Sequence, residues 1–237
     1  MIIASNFKTN FTRTKTDDFV LAIQDFMRDT RSNQQVRIFA PATALDLFDE
    51  VPSLHVGAQN FYPVQNGSYT GEIGFEQLEE FGIDTVLIGH SERRHILRES
   101  QALIAQKFDF ARDKNVEIVY CVGEPKEIRA LGIDAVMAYI WEQFEGIDIN
   151  YGRAIVAYEP VWAIGTGLTA SDEDIKEVLE RLAEKLSTPL LYGGSVKVDN
   201  IKAILSIPKC SGVLVGTASW NVQDFSHMIQ TADELKK

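Results

Sequence analysis

Several polar residues stand directly after apolar runs, and their types define a chemistry. Glu159 closes Ala157-Tyr158-Glu159-Pro160 among apolar and aromatic neighbours. Such surroundings raise a carboxylate's pKa and make it a usable general base. His90 closes Ile88-Gly89-His90 and precedes Ser91-Glu92-Arg93-Arg94-His95. A helix opening at Ser91 would disfavour imidazolium and leave a neutral ring able to donate a hydrogen bond. Lys8, in Asn6-Phe7-Lys8-Thr9-Asn10, offers a fixed positive charge to an anionic substrate. The small turns Tyr192-Gly193-Gly194-Ser195 and Gly216-Thr217-Ala218 both lead into helical patterns, so their successive N–H groups can cradle a phosphate. Segment 160–170 has Pro160 at one end, two glycines at its tip, and apolar Val161, Trp162 and Ile164. A loop of that composition can close as a lid and exclude water.

Each feature also has a plainer reading: a solvated lysine, a capped structural histidine, a salt-bridged glutamate, glycines serving tight turns. The apolar lid and the pair of small turns weigh against those readings. A base, a neutral donor, a cation, a phosphate cradle and a lid fit proton abstraction beside a carbonyl on a small phosphorylated substrate. A metal reading of His90, Glu92 and His95 lacks further ligands, and the Pro-Cys-x-x-Cys that accompanies His-x-Glu in zinc deaminases is absent. No Gly-x-Gly-x-x-Gly follows the first apolar run, which disfavours hydride transfer. Neither a metal nor a cofactor is expected.

The formal net charge of −11 disfavours nucleic acid and anionic lipid as partners, and requires any phosphate site to be a local positive field. Cys121 and Cys210 are too few for a disulfide framework, which suggests a reducing compartment. No segment approaches a membrane span and the N-terminal apolar run is too short for a signal peptide, so a soluble cytoplasmic protein is expected.

These residues need a frame. Eight near-continuous apolar runs read as buried parallel strands: 2–6, 36–40, 54–58, 85–90, 116–121, 154–159, 189–194 and 212–216. Helical patterns lie between them. The clearest covers 171–187, with Ile175, Val178, Leu179, Leu182, Ala183 and Leu186 as its apolar stripe and Ser171 with Asp174 as a variant capping box. No linker divides the 237 residues, so one domain is expected. The repetition predicts an α/β fold, a (β/α)8 barrel of eight parallel strands whose active site lies at the strand C-termini. A doubly wound open sheet is the rival, because periodicity does not establish closure.

The motifs N-F-K-T-N, A-Q-N, I-G-H-S-E-R-R, C-V-G-E, Y-E-P-V-W-A-I-G-T-G and Y-G-G-S-V occur in that order between Asn6 and Val196, with G-T-A beyond them. Together they resemble the triosephosphate isomerase family. The resemblance implies interconversion of dihydroxyacetone phosphate and D-glyceraldehyde 3-phosphate through an enediolate, in glycolysis and gluconeogenesis. It makes Glu159 the proton shuttle, His90 the group that polarises the carbonyl, and Lys8 the stabiliser of enediolate and phosphate charge. Asn6 would position the carbonyl end, and Glu92 would be a partner of Lys8. Phosphate contacts would come from N–H groups of Gly165, Ser195, Gly216 and Thr217, while Tyr192 and Ala170 would hold the lid shut. The resemblance also implies a homodimer, with loop 60–74 projecting into the partner and Thr70 approaching its site, supported by Gln59 and Asn60.

Three positions depart from the family pattern. Thr217 stands where a second glycine is usual, and threonine resists positive φ. Thr9 replaces a common Met, and Leu168 a frequent Lys of the lid hinge. The helices around 125–146 are expected to be trimmed. A phosphate-binding barrel isomerase or lyase acting on a larger substrate, and a sugar-phosphate-binding barrel without turnover, are the alternative readings.

Overall fold

The computed structural model describes residues 1–49, 51–164 and 169–235. Eight strands among them pair in chain order, all parallel: β1 (Ile2–Asn6), β2 (Gln35–Ala40), β3 (Leu54–Ala58), β4 (Thr85–Ile88), β5 (Glu117–Val122), β6 (Ala154–Tyr158), β7 (Leu190–Tyr192) and β8 (Gly212–Val215). The register of β1 with β8, from Ile2 opposite Gly212 to Ser5 opposite Val215, closes the sheet. That pairing removes the open-sheet alternative. The fold is a (β/α)8 barrel, with α1 (Arg13–Thr30), α2 (Phe75–Glu80), α3 (Ser91–His95), α4 (Gln101–Asp113), α5 (Lys126–Arg129), α6 (Ile133–Glu142), α7 (Asp172–Ala183), α8 (Ile201–Ser206) and α9 (Val222–Glu234). The helices expected to be trimmed are short: α5 has 4 residues and α6 has 10.

Helix α7 shows how local sequence sets an element. Ser171 accepts from the Asp174 N–H and Asp174 reaches back to the Ser171 N–H, so the box satisfies donors at the N-terminus. Such a cap contributes about 1 kcal/mol. Ile175, Val178, Leu179 and Leu182 are buried at helical spacing. The helix stops at Ala183, short of the expected 187. Strand β4 is also shorter than expected, because Gly89 takes φ +75° and turns the chain out of the ladder before His90.

Strand alternation builds two cores. Outward side chains such as Ile3, Val36, Ile38, Ile118 and Val156 pack under the helices. Ile2, Ala4, Phe39, Leu87, Val119, Cys121, Ile155, Ala157, Leu191 and Leu214 form a separate cluster, the filling of the barrel. The period of two extends the inward rows to polar residues. Below Phe39 and Val119 stand Arg37 and Glu117, and above Ala4 and Ala157 stand Asn6 and Glu159.

At the N-terminal end, the Arg37 guanidinium donates to both Glu117 oxygens, at 2.5 and 3.0 Å, and the Thr85 hydroxyl adds a third bond at 3.1 Å. Burial pushes the Glu117 carboxyl up, but Arg37 and Thr85 outweigh it and hold its pKa below the usual range.

Candidate active site

Strand ends β1, β4, β6, β7 and β8 converge on a cavity of about 220 Å³ lined by Asn6, Lys8, His90, Glu159, Ser195 and Gly216, with Thr217 beside them. A larger hollow of about 560 Å³ opens at the other end of the barrel around His55 and Asp84, so volume does not single out the site. The convergence of charge at strand C-termini does.

Glu159 is buried, as is His90. His90 Nε2 lies 3.1 Å from Glu159 Oε1, and the Ser91 N–H donates to Glu159 Oε2 at 3.1 Å. Burial pushes the Glu159 carboxyl up, yet the interactions with His90, the Ser91 N–H and Lys8 prevail and lower its pKa. This reverses the sequence expectation of a raised value. Apolar surroundings are present, but the N-terminus of α3 and the imidazole compete with them directly.

His90 caps that helix: its Nδ1 accepts from the Glu92 N–H at 3.2 Å, so Nδ1 carries no proton and Nε2–H is the donor toward Glu159. Burial disfavours charge on the ring, and Glu159 more than offsets it, raising the His90 pKa while the pair stands. The helix cap pulls the other way, and this hydrogen-bond pattern is that of the neutral ring.

Lys8 takes φ +53°, a left-handed conformation that costs a non-glycine residue about 1–2 kcal/mol. Its contacts compensate. The Lys8 N–H donates to Asn6 Oδ1 at 2.9 Å, its carbonyl accepts from Gln59 Nε2 at 2.9 Å, and its ammonium meets Glu92 Oε1 at 2.6 Å. Gln59 therefore braces Lys8 within its own chain, and Asn60 likewise accepts from the buried Lys107 ammonium at 2.6 Å. Thr70 is exposed on loop 60–74. That loop is pinned rather than loose: the Tyr62 N–H donates to the Ile73 carbonyl at 2.8 Å, and Asn66 Nδ2 to Glu76 at 2.7 Å.

Thr217 opens a 3-10 turn over 217–219 and has no positive φ, so the glycine usual at this position is not required by the backbone. In the described part of segment 160–170, Trp162 Nε1 donates to Glu124 Oε1 at 3.0 Å, and the Tyr158 hydroxyl reaches the same oxygen at 3.1 Å. Burial pushes the Glu124 carboxyl up. The Tyr192 hydroxyl is buried beside the N–H groups of Ala170 and Ser195, without a hydrogen bond of normal geometry among the described residues. Gly165 and Leu168 lie outside the described residues.

Sequence reasoning missed three contributors to the geometry. The Ser91 N–H orients the Glu159 carboxylate, which the helix start after His90 could have signalled. Glu124, in the C-V-G-E motif, holds Val161 and Trp162 just after β6. Gly123 passes so close to Glu159 that a Cβ there would overlap the Glu159 carbonyl, and no local signal marks that approach. Among the described residues, no group of three or more His, Cys, Asp or Glu side chains is arranged to hold a metal ion. No described helix is long and apolar enough to cross a membrane.

The chain as a whole is similar to known proteins. The triosephosphate isomerase family model matches residues 1–232. The triosephosphate isomerase of a Nitratiruptor species is 50% identical over 236 residues, covering 100% of both chains. That of Wolinella succinogenes is 49% identical over 230 residues, 97% of this chain and 99% of the relative. That of Sulfurimonas denitrificans is 50% identical over 237 residues, 100% of this chain and 98% of the relative. With the family pattern matched from end to end of the barrel, the chain belongs to the triosephosphate isomerase family.

Proposed function

We propose that Glu159, His90 and Lys8 carry the isomerase reaction that family membership brings, and that residues 1–237 act as one catalytic domain. The chain is an isomerase that interconverts dihydroxyacetone phosphate and D-glyceraldehyde 3-phosphate in glycolysis. The carrying observation is the 3.1 Å contact between His90 Nε2 and Glu159 at the cavity wall, with Lys8 on the same cavity.

The Glu159 carboxylate takes a proton from the carbon next to the carbonyl. Electron density moves onto the carbonyl oxygen, where the His90 Nε2–H and the Lys8 ammonium stabilise the developing enediolate. Glu159, now protonated, returns the proton to the neighbouring carbon, and His90 relays a proton between the two oxygens. Substrate must displace Glu159 from His90, which turns a resting hydrogen bond into one aimed at the oxyanion. Asn6 orients the carbonyl end and holds the Lys8 N–H. Ser195, Gly216, Thr217 and Gly165 offer N–H groups to the phosphate. Closure of 160–170, with the Ala170 N–H reaching the Tyr192 hydroxyl, excludes water that would otherwise let the enediolate expel phosphate.

The active form is a homodimer in this reading. Ile96 and Leu97 are 72% and 60% exposed, and they line a groove of about 410 Å³ with Thr9, Asn10 and Gln59 beside the site. The pinned loop of a second copy would bring Thr70 into that groove and cover both side chains. As an enzyme of central carbon metabolism it works in the cytoplasm.

The test is triose phosphate interconversion by the purified protein beside Glu159→Gln. Loss of the base should lower kcat about a thousandfold. Native turnover in the variant overturns the assignment of the base. An inactive native protein that still binds the phosphorylated ligand favours the binding barrel.

A further inference from the structure

We propose that Trp220 is a positioning residue for Lys8, its indole taking the ladder rung that the 216–219 turn leaves; this rests on the reading of Lys8 given above. The argument begins with the β1–β8 ladder. The Ile2 N–H donates to the Ser211 carbonyl, so alternation turns the N–H and carbonyl groups of Ile2, Ala4 and Asn6 toward β8. The next rung, at the buried Asn6 carbonyl, falls due at the Thr217 N–H. Strand β8 ends at Val215, and the chain leaves the ladder to make the phosphate turn.

Trp220 fills that rung. Its indole Nε1 donates to the Asn6 carbonyl at 3.0 Å across 214 residues of sequence. The turn between is locked in place: Trp220 N–H bonds the Thr217 carbonyl at 3.2 Å, and Ser219 N–H bonds the Gly216 carbonyl at 2.9 Å. Ser219 Oγ also lies 2.6 Å from Ser5 Oγ. On the other side of Asn6, its side chain holds the Lys8 N–H, and Lys8 keeps its left-handed φ of +53°. Indole, Asn6 and Lys8 thus form one hydrogen-bonded row. It fixes the distance between the turn that takes the phosphate and the ammonium that faces the oxyanion.

Trp220→Phe keeps most of the ring packing and removes the donor, and a benzothiophene isostere at 220 removes only the N–H. The probe is calorimetric binding of 2-phosphoglycolate, whose carboxylate stands in for the enediolate. Loss of one neutral hydrogen bond should weaken binding about tenfold in the native background. In a Lys8→Ala background the same change should cost less than about twofold, because the lysine it positions is gone. Equal losses in both backgrounds, or no loss in the native one, overturn the proposal. If Trp220→Phe does not fold, the isostere decides by the same comparison. Undiminished binding by Lys8→Ala alone overturns the reading of Lys8, and the proposal with it, so the two failures are told apart.

Discussion

At the floor of the barrel Arg37 and Glu117 meet in a two-point pair that Thr85 completes, while at the mouth His90 and Glu159 meet through a single hydrogen bond. Both pairs are largely buried, one at each end of the barrel, and both carboxylates have lowered pKa values. The difference lies in what the pair leaves available. The floor pair's donors and acceptors are taken up by each other and by Val36, Gln35 and Thr85, and no substrate can better that. The mouth pair borders a cavity, uses one ring nitrogen on the α3 cap and one on the base, and stands next to a second cation, Lys8. Burial of charge is therefore not what marks the site. In the proposed mechanism, what marks it is a buried pair whose hydrogen bond is exchanged for one to substrate.

The comparison breaks most sharply at His90. His90→Gln should lower kcat about a thousandfold while leaving thermal unfolding close to native, read by steady-state kinetics and a melting curve on one preparation. Glu117→Gln should do the reverse. It strands the Arg37 charge and should cost about 3 kcal/mol in a urea titration, with kcat within about twofold of native. Its sign with pH is fixed: a carboxyl with a depressed folded pKa contributes stability above its unfolded value of 4.5 and loses it as pH falls through the folded pKa. The variant should lack that part of the acid slope.

A subtler effect concerns the base. Once the substrate phosphate's own ionisation at about 6 is corrected for, the acid limb of kcat/KM should fall below the ordinary carboxyl value of 4.5. A limb above it would mean that burial, not His90 and Ser91, governs Glu159. The smallest effect is expected at Thr217. Because its φ is already negative, Thr217→Gly should change substrate KM by less than about twofold and cost only about 0.5 kcal/mol of stability, through added freedom of the unfolded chain.

The strands were legible in the sequence because parallel strands buried on both faces leave unbroken apolar runs, and Glu159 and His90 because they end such runs. Strand ends were less so: β7 stops at Tyr192, and β4 at Ile88, where Gly89 turns the chain outward. Ser171 and Asp174 announced α7 because capping is local. Gln59 was legible only as part of a motif. Its bond to the Lys8 carbonyl joins residues 51 positions apart, and nothing at either position encodes the distance. The direction of the Glu159 pKa depends on His90 and Ser91, 68 and more residues away in the chain, so apolar neighbours pointed the wrong way. Trp220 was silent for the same reason.

The alternation that carries Ile155, Ala157 and Glu159 along one inward row acts as a parity code. Inserting one residue within β6 would swap odd for even, send the carboxylate out among the helices and bring Tyr158 into the barrel. Inserting two would restore the sense while displacing the base by about 6–7 Å along the strand. Evolution of this barrel can therefore edit a strand only by substitution, letter for letter.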